Sequence, residues 1–228
     1  MDRDVRELLV DGASRMEITL SEEAVSRFSI YLALLQTWGS KINLTSRLRG
    51  KEVVTHHFLD SLAGMRFLSS MPEAHVIDLG AGAGFPSIPL KFVLPRVSFT
   101  LVESVRKKVS FCQQVIRDTR IAGVEVLWGR GEELGRRPEH QGRYDWAISR
   151  ALGTSSDVVK FGIPFLATGG RVLLFKAEPD DDELRQLDLL SARIGAVWEL
   201  HSVRVPYLEE ARSLILVRMD SVHRSPQA

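Results

Sequence analysis

One cysteine, Cys112, occurs in 228 residues. A single thiol excludes an internal disulfide and a thiolate cluster for metal, and it suits a reducing compartment such as the cytoplasm. No apolar run approaches the roughly 20 residues that span a bilayer, so no membrane partner is expected. The amino terminus, Met1-Asp2-Arg3-Asp4, carries acids and no long apolar stretch, unlike a signal peptide. The six histidines, at 56, 57, 75, 140, 201 and 223, lack the spacing of metal ligands. No Ser/His/Asp arrangement is suggested, and internal repeats and low-complexity segments are missing. Neither sign of charge dominates: 30 Lys and Arg against 29 Asp and Glu leave a net +1. A nucleic-acid partner would therefore be met by a local basic patch, not by a global field. No feature of the sequence sets an oligomeric state.

What is present is an ordinary globular composition, 44% hydrophobic and 26% charged, long enough for one core plus an appendage. Residues 1–72 read as a helical extension, 73–220 as the main domain and 221–228 as a frayed tail. In the extension, Val5, Leu8 and Leu9 recur at helical spacing, with Gly12 as the stop. Ser21 can cap the next helix ahead of Glu22 and Glu23, and Val25, Phe28, Leu32 and Leu35 form its apolar stripe. Gly39-Ser40 ends it, Lys41 to Gly50 reads as a loop, and a third helix is expected from Lys51 to Leu68.

From Ala74 the pattern alternates. Strands are expected at 75–79, 98–103, 124–128, 145–149 and 171–176, with helices at 86–93, 105–120, 157–166 and 181–194 between them. Strands separated by helices imply right-handed crossovers and a parallel sheet covered on both faces. Two further strands, 197–205 and 214–219, have only Pro206–Ser213 between them, too short for a crossover. They should pair antiparallel, making an α/β fold with a mixed sheet.

The centre of this pattern is Val76-Ile77-Asp78-Leu79-Gly80-Ala81-Gly82-Ala83-Gly84-Phe85-Pro86. A buried strand runs into a glycine turn and then a helix, whose first turn tolerates Pro86. That arrangement places a nucleotide-type ligand at the carboxyl edge of a parallel sheet. A turn with no ligand is the simpler alternative. The spacing is G-x-G-x-G, unlike the G-x-G-x-x-G of dinucleotide dehydrogenases. Asp78 would repel a pyrophosphate, but suits the cationic amino-acid end of S-adenosylmethionine. Glu103 lies 19 residues beyond Gly84, at the distance where an acid accepts from ribose hydroxyls. Gly131-Glu132-Glu133 follows the third strand, either beside an adenine or simply as an exposed charged helix start. Arg150 ends the fourth strand. It could pair with Asp78 or Glu132, or hold the cofactor carboxylate or a phosphate. No Asn-Pro-Pro-Tyr-like sequence, common where an exocyclic amine is methylated, stands at that strand end. Cys112 shares a helix face with Val109 and Val115, so it reads as core; of His56-His57, one ring should be interfacial and the other solvated.

Arg47, Arg49 and Lys51 in the N-terminal loop, Arg106-Lys107-Lys108 after the second strand and Lys176 after the fifth surround the proposed site. Each alone is solvated surface; together they make a platform for a polyanion plausible.

Several segments together resemble the bacterial glucose-inhibited-division protein B family, the 16S ribosomal RNA guanine-N7 methyltransferases. They are Asn43-Leu44-Thr45, His57-Phe58-Leu59-Asp60-Ser61-Leu62, the glycine segment Asp78–Pro86, Lys107-Lys108, Gly129-Arg130-Gly131-Glu132, Ile148-Ser149-Arg150-Ala151 and Lys176. The glycine motif marks the methyltransferase superfamily; its combination with the first two segments is specific to the family. The resemblance implies a Rossmann-like class I methyltransferase with a mostly parallel seven-stranded sheet and a helical extension. It further implies S-adenosyl-L-methionine near Asp78, Gly80, Gly82, Gly84, Phe85, Glu103, Ser104, Val105, Gly131, Glu132 and Arg150. The partner it implies is 16S rRNA or the small ribosomal subunit, met by Arg47, Arg49, Lys107, Lys108 and Lys176. Ser87, Gly131 and Ala177 depart from the family's usual glycine, alanine and glycine. Guanine N7 has a free lone pair and loses no proton on methylation, so no catalytic base is expected and none is assigned. A class I enzyme acting on another RNA position, a protein or a small molecule is the first alternative. The second is a cofactor-binding ribosome-assembly factor without activity.

Overall fold

The computed structural model describes residues 1–39, 42–45 and 47–219; part of the loop expected at 41–50 and the tail expected at 221–228 lie outside the described residues. Helix α1, Arg3–Arg15, begins at an Asp2 cap, and α2, Glu22–Gly39, begins where the Ser21 hydroxyl accepts from the Ala24 N–H at 3.1 Å. Next come α3 (Gly50–Val53), a π-helical turn (Val54–Leu59), α4 (Asp60–Leu62) and α5 (Met65–Leu68). The sheet region then runs β1 (His75–Leu79), α6 (Ser87–Val93), β2 (Ser98–Glu103), α7 (Arg106–Thr119), β3 (Val124–Trp128), α8 (Gly131–Leu134), β4 (Tyr144–Arg150), α9 (Ser155–Gly162), β5 (Leu166–Lys176), α10 (Asp181–Ile194), β6 (Ala196–Val203) and β7 (Arg212–Met219).

The strand order is β3-β2-β1-β4-β5-β7-β6. The first five strands are parallel, and β7 is antiparallel to both β5 and β6. Strand order reverses at β1, so the crevice beyond its carboxyl end is the topological switch point where ligands bind in such sheets. β1 is buried on both faces, which explains its unbroken apolar run. One face of the sheet is covered by α8, α9 and α10 through Leu134, Val158, Val159, Leu187 and Leu190. The other face is covered by α6 and α7, and the N-terminal helices join that same core: Leu9, Phe28, Tyr31 and Phe58 pack in one cluster with Ile88, Phe92 and Phe111. Among the described residues no helix is long and apolar enough to cross a membrane.

Four expectations change. Gly12 does not stop α1; it lies inside the helix, where a Cβ would sit 2.4 Å from Leu59 Cδ1, so its smallness serves close packing. The helix expected at 51–68 is broken by the π turn and again before α5. β5 starts five residues earlier than expected, at Leu166, with an irregular register between Tyr144 and Trp146. The helix expected at 157–166 is α9 followed by a short 3₁₀ turn at Ile163–Phe165, since Pro164 brings no N–H to continue α9.

The N-terminal segment also abuts the sheet at Gly64, where a Cβ would lie 2.5 Å from Cζ of Phe175 on β5. Phe175 is buried, so its ring must turn against its neighbours to make room. Gly64→Ala should therefore lower the unfolding free energy by about 1–3 kcal/mol, read from the urea midpoint. An unchanged midpoint would show that Phe175 moves freely.

Candidate active site

The site is built at the carboxyl ends of β1, β2, β3 and β4. After Leu79 the chain turns sharply, with φ of +73° at Gly80, +61° at Gly82 and +96° at Gly84, a region that favours glycine. The turn is anchored to β2: the N–H groups of Gly80 and Ala81 both donate to the Val102 carbonyl at 3.0 Å. A Cβ on Gly84 would lie 2.3 Å from Ile88 Cδ1, whereas a Cβ on Gly82 would meet nothing closer than the Gly80 carbonyl oxygen, 3.9 Å away. Gly84 is needed by packing, and Gly82 leaves open space above the loop. From beneath, Tyr31 on α2 donates its hydroxyl to the Ala83 carbonyl at 2.5 Å, and Cys112 Sγ lies 3.5 Å from the Gly82 carbonyl. Burial pushes both the Tyr31 hydroxyl and the Cys112 thiol up, so both stay protonated. The N-terminal extension thus fixes the loop that the main sheet presents.

Glu103 closes β2 and is buried. Its carboxylate accepts from Gly82 N at 2.9 Å and from Val105 N at 2.7 Å. Each oxygen keeps one further lone-pair direction, which suits it to ribose hydroxyls. Gly80, Ser104, Gly131 and Glu132 line one cleft of about 110 Å³ with Leu79, Val102, Leu152 and Phe161. Glu132 and Glu133 form the exposed first turn of α8, as the simpler reading has it, and Glu132 also lines the cleft. Asp78 is placed differently from its expected role. It is fully buried behind the glycine loop, where Ser87 Oγ donates to Oδ2 at 2.7 Å and Oδ1 has no hydrogen-bond partner. Burial raises its pKa from 3.8 to about 7, against the pull of the Ser87 hydrogen bonds and the Arg150 charge. Asp78 is not among the residues that line that cleft.

Arg150, 16% exposed at the end of β4, pairs with neither Asp78 nor Glu132. It reaches the N-terminal segment, donating to Asp60 Oδ2 at 2.8 Å and to the His56 carbonyl at 3.2 Å. Its other terminal nitrogen lies 2.9 Å from His57 Nδ1. The guanidinium stands 4.8 Å from the Phe85 ring centroid, and the His57 ring stacks on Phe85 at 4.7 Å. Since Arg150 only donates, His57 Nδ1 accepts, and Nε2 carries the proton toward Thr45 Oγ1, 2.7 Å away. Burial, then the Arg150 charge, lowers the His57 pKa from 6.5 to about 3, so the ring is neutral. Arg212 Nε donates to the second Asp60 oxygen at 3.1 Å. His56 is partly buried too, so the expected split between an interfacial and a solvated ring does not hold.

Of the basic residues, Arg49 and Lys107 are exposed, while Arg47 and Lys108 are half-buried. Arg47 is close enough to depress His57 through its charge. Lys176 is already engaged: it pairs with Glu183 at 2.7 Å and donates to the Gly153 carbonyl at 3.1 Å. Asp60, Arg212, Tyr31 and Thr45 were not singled out from the sequence as site residues. Thr45 and Asp60 do lie in the two segments that carry the family resemblance. Among the described residues, no cluster of three or more His, Cys, Asp or Glu is arranged to hold a metal ion.

The family model for GidB, described as rRNA small subunit methyltransferase G, matches residues 24–211. The chain belongs to the GidB family. A ribosomal RNA small subunit methyltransferase G from Roseiflexus castenholzii is 36% identical over 208 residues, covering 91% of this chain and 88% of the relative. Its counterpart from Alkaliphilus oremlandii is 31% identical over 216 residues, covering 94% and 90%. Among solved structures, the precorrin-6y C5,15-methyltransferase of Geobacter metallireducens superposes with a TM-score of 0.52 at 14% identity, over 78% of this chain and 91% of that one. TYW2 of Pyrococcus horikoshii, solved with MeSAdo, gives 0.51 at 13% identity, over 64% and 57%. At such identities the likeness concerns the fold, a class I S-adenosylmethionine-dependent methyltransferase fold. As a GidB family member with this fold, the protein is an S-adenosyl-L-methionine-dependent methyltransferase. The open space at Gly82, the spare lone pairs of Glu103 and the cleft between Gly80 and Gly131 fit that cofactor.

Proposed function

We propose that this GidB protein methylates N7 of a guanine in the 16S rRNA of the small ribosomal subunit, in the cytoplasm. The observation that carries this reading is the state of His57. Both of its ring nitrogens are engaged and its pKa is about 3, so the imidazole stacked on Phe85 after the glycine loop is a fixed neutral ring, not a base. Such a site suits a nucleophile that needs no deprotonation. Guanine N7 is one: its lone pair takes the methyl carbon, the bond pair to sulfur stays with sulfur, and no proton moves.

S-adenosyl-L-methionine, when bound, supplies a methyl group made electrophilic by its sulfonium. The protein supplies alignment. The Gly80–Gly84 loop and Glu103 would hold the sugar and amino-acid portions, and Ser104, Val105, Gly131 and Glu132 the adenine side. Arg150 and Phe85, locked against His57 and Asp60, would shape the wall that the guanine meets. Well-oriented reactants gain about 7–11 kcal/mol without proton transfer. Arg47, Arg49, Lys107 and Lys108 would steer and hold the RNA backbone; Lys176 would do so only by exchanging its Glu183 partner. A guanine read at its N7 must be unstacked in a loop or bulge.

The test is methyl transfer from labelled S-adenosyl-L-methionine to small subunits from a strain lacking the gene, with the product nucleoside identified. Label in N7-methylguanosine of 16S rRNA is expected. Label on another atom, or only in protein, overturns the substrate assignment; no transfer at all favours an assembly factor.

A further inference from the structure

Trp128 ends the edge strand β3 and is 54% exposed, an unusual placement for the largest apolar side chain. Its orientation is nonetheless fixed. The indole Nε1–H donates to the Ser104 carbonyl at 2.9 Å, and the Arg106 guanidinium lies 4.0 Å from the ring centroid. Ser104 lines the cofactor cleft and Gly129, next in the chain, lines it from the other side. The indole therefore stands at the rim of the active site, outside the cleft itself. Arg106 fills one face of the ring, and more than half of the side chain still meets solvent. Lys107 is exposed one residue further along α7.

A structural explanation would be that Arg106 merely shields an edge tryptophan. Even with that guanidinium in place the residue is 54% exposed, and Arg106 is the one cation–π partner of the ring among the described residues. A pre-oriented π face backed by a cation, beside an exposed lysine, is instead the arrangement that binds unpaired nucleobases and their phosphates.

We propose that Trp128, backed by Arg106, is a stacking platform for an unpaired base of the RNA substrate next to the target nucleotide. The inference rests on the reading that RNA is the substrate. An RNA ligand is favoured over a protein one because the indole face is paired with a guanidinium at the rim of the cleft; the apolar pocket that Lys107 lines with Trp38, Ile42 and Ser110 does not include Trp128. The platform would hold the nucleotide chain as it leaves the cleft, so that the target base stays splayed out.

The test compares wild type with Trp128→Ala, Trp128→Phe and Arg106→Ala, using small subunits for turnover and a single-stranded oligoribonucleotide for binding. Trp128→Ala should weaken oligonucleotide binding and raise KM for subunits about 5- to 100-fold, with affinity for S-adenosyl-L-methionine unchanged. Trp128→Phe should restore most of the loss. The salt dependence of binding should keep its slope in Trp128→Ala and become shallower in Arg106→Ala. Unchanged RNA binding in Trp128→Ala overturns the proposal, as does a loss confined to cofactor affinity, which would make the indole a wall of the cofactor cleft. If wild type methylates no subunit, the substrate reading fails, and the oligonucleotide measurement still decides whether the platform binds RNA.

Discussion

Arg150→Ala is expected to lower the unfolding free energy by about 3 kcal/mol and to slow turnover by about 100-fold. The stability loss follows from what the guanidinium leaves behind. Asp60 is 9% exposed on its side chain and Arg150 16%, so the pair is largely out of water. Removing one partner of a buried pair costs about 3–5 kcal/mol, because the surviving charge is neither solvated nor compensated. Arg212 stays on the other Asp60 oxygen, which places the expectation at the lower end. With a urea slope of about 2–3 kcal/mol per M, the midpoint should fall by about 1–1.5 M. The kinetic loss has a separate cause. Arg150 joins the end of β4 to the π turn and lies over Phe85, so its loss frees Phe85 and His57 from a common geometry. A misplacement of about 1 Å in an aligning site costs about 100-fold. Arg150→Lys keeps the charge but not the forked donors, so it should recover part of the stability and little of the rate. Arg150→Ala and Asp60→Ala should couple: the double variant loses less than the two singles together. A wild-type midpoint in Arg150→Ala would show that Arg212 alone satisfies Asp60.

The alternation from β1 onward was legible because the strands are short, largely apolar runs, β1 and β3 stopped by glycine and β2 by an acid, and the helices between supply the crossovers. The antiparallel end was legible for a metrical reason, since eight residues cannot cross a sheet. The turn at the glycine loop and the place of Glu103 at the end of β2 were legible because positive φ favours glycine and the acid ends an apolar run. What stayed hidden depends on contacts between distant segments. The π turn is a backbone adjustment that lets His57 stack on Phe85 while Asp60 meets Arg150, 90 residues away; no local propensity announces it. Tyr31 read as one more apolar position on α2, because its partner, the Ala83 carbonyl, is 52 residues away. Gly12 looked like a stop signal because a glycine that ends a helix and one that admits a neighbouring leucine are the same letter. Lys176 read as a free cation because Glu183, which neutralises it, lies in the first turn of a helix reached only by folding.

Asp78 should make the protein less stable as the pH rises from about 4 to about 7. Its pKa is about 7 in the fold, against an ordinary 3.8. Between those values the folded protein keeps a proton that the unfolded chain has released, so raising the pH drains stability. The full effect, reached above pH 7, is about 4 kcal/mol for a shift of about three units at 1.36 kcal/mol each. His57 works on the acid side. With a folded pKa of about 3 against 6.5, it is neutral when folded and takes a proton more readily when unfolded, so stability falls as the pH drops from about 6.5 towards 3. The two slopes oppose each other between about 4 and 6.5, and above 6.5 Asp78 acts alone. Asp78→Asn has nearly the same shape and no charge to bury. Urea unfolding of both proteins from pH 4 to 8 should show wild type losing about 4 kcal/mol relative to Asp78→Asn, whatever constant offset the unpaired amide adds. Parallel curves would mean that the carboxyl is ionised and solvated in the fold. A carboxyl carrying such a cost, one oxygen unpartnered, is better placed by function than by stability. It sits two residues before Gly80, behind the glycine loop, where an asparagine would carry no charge at any pH.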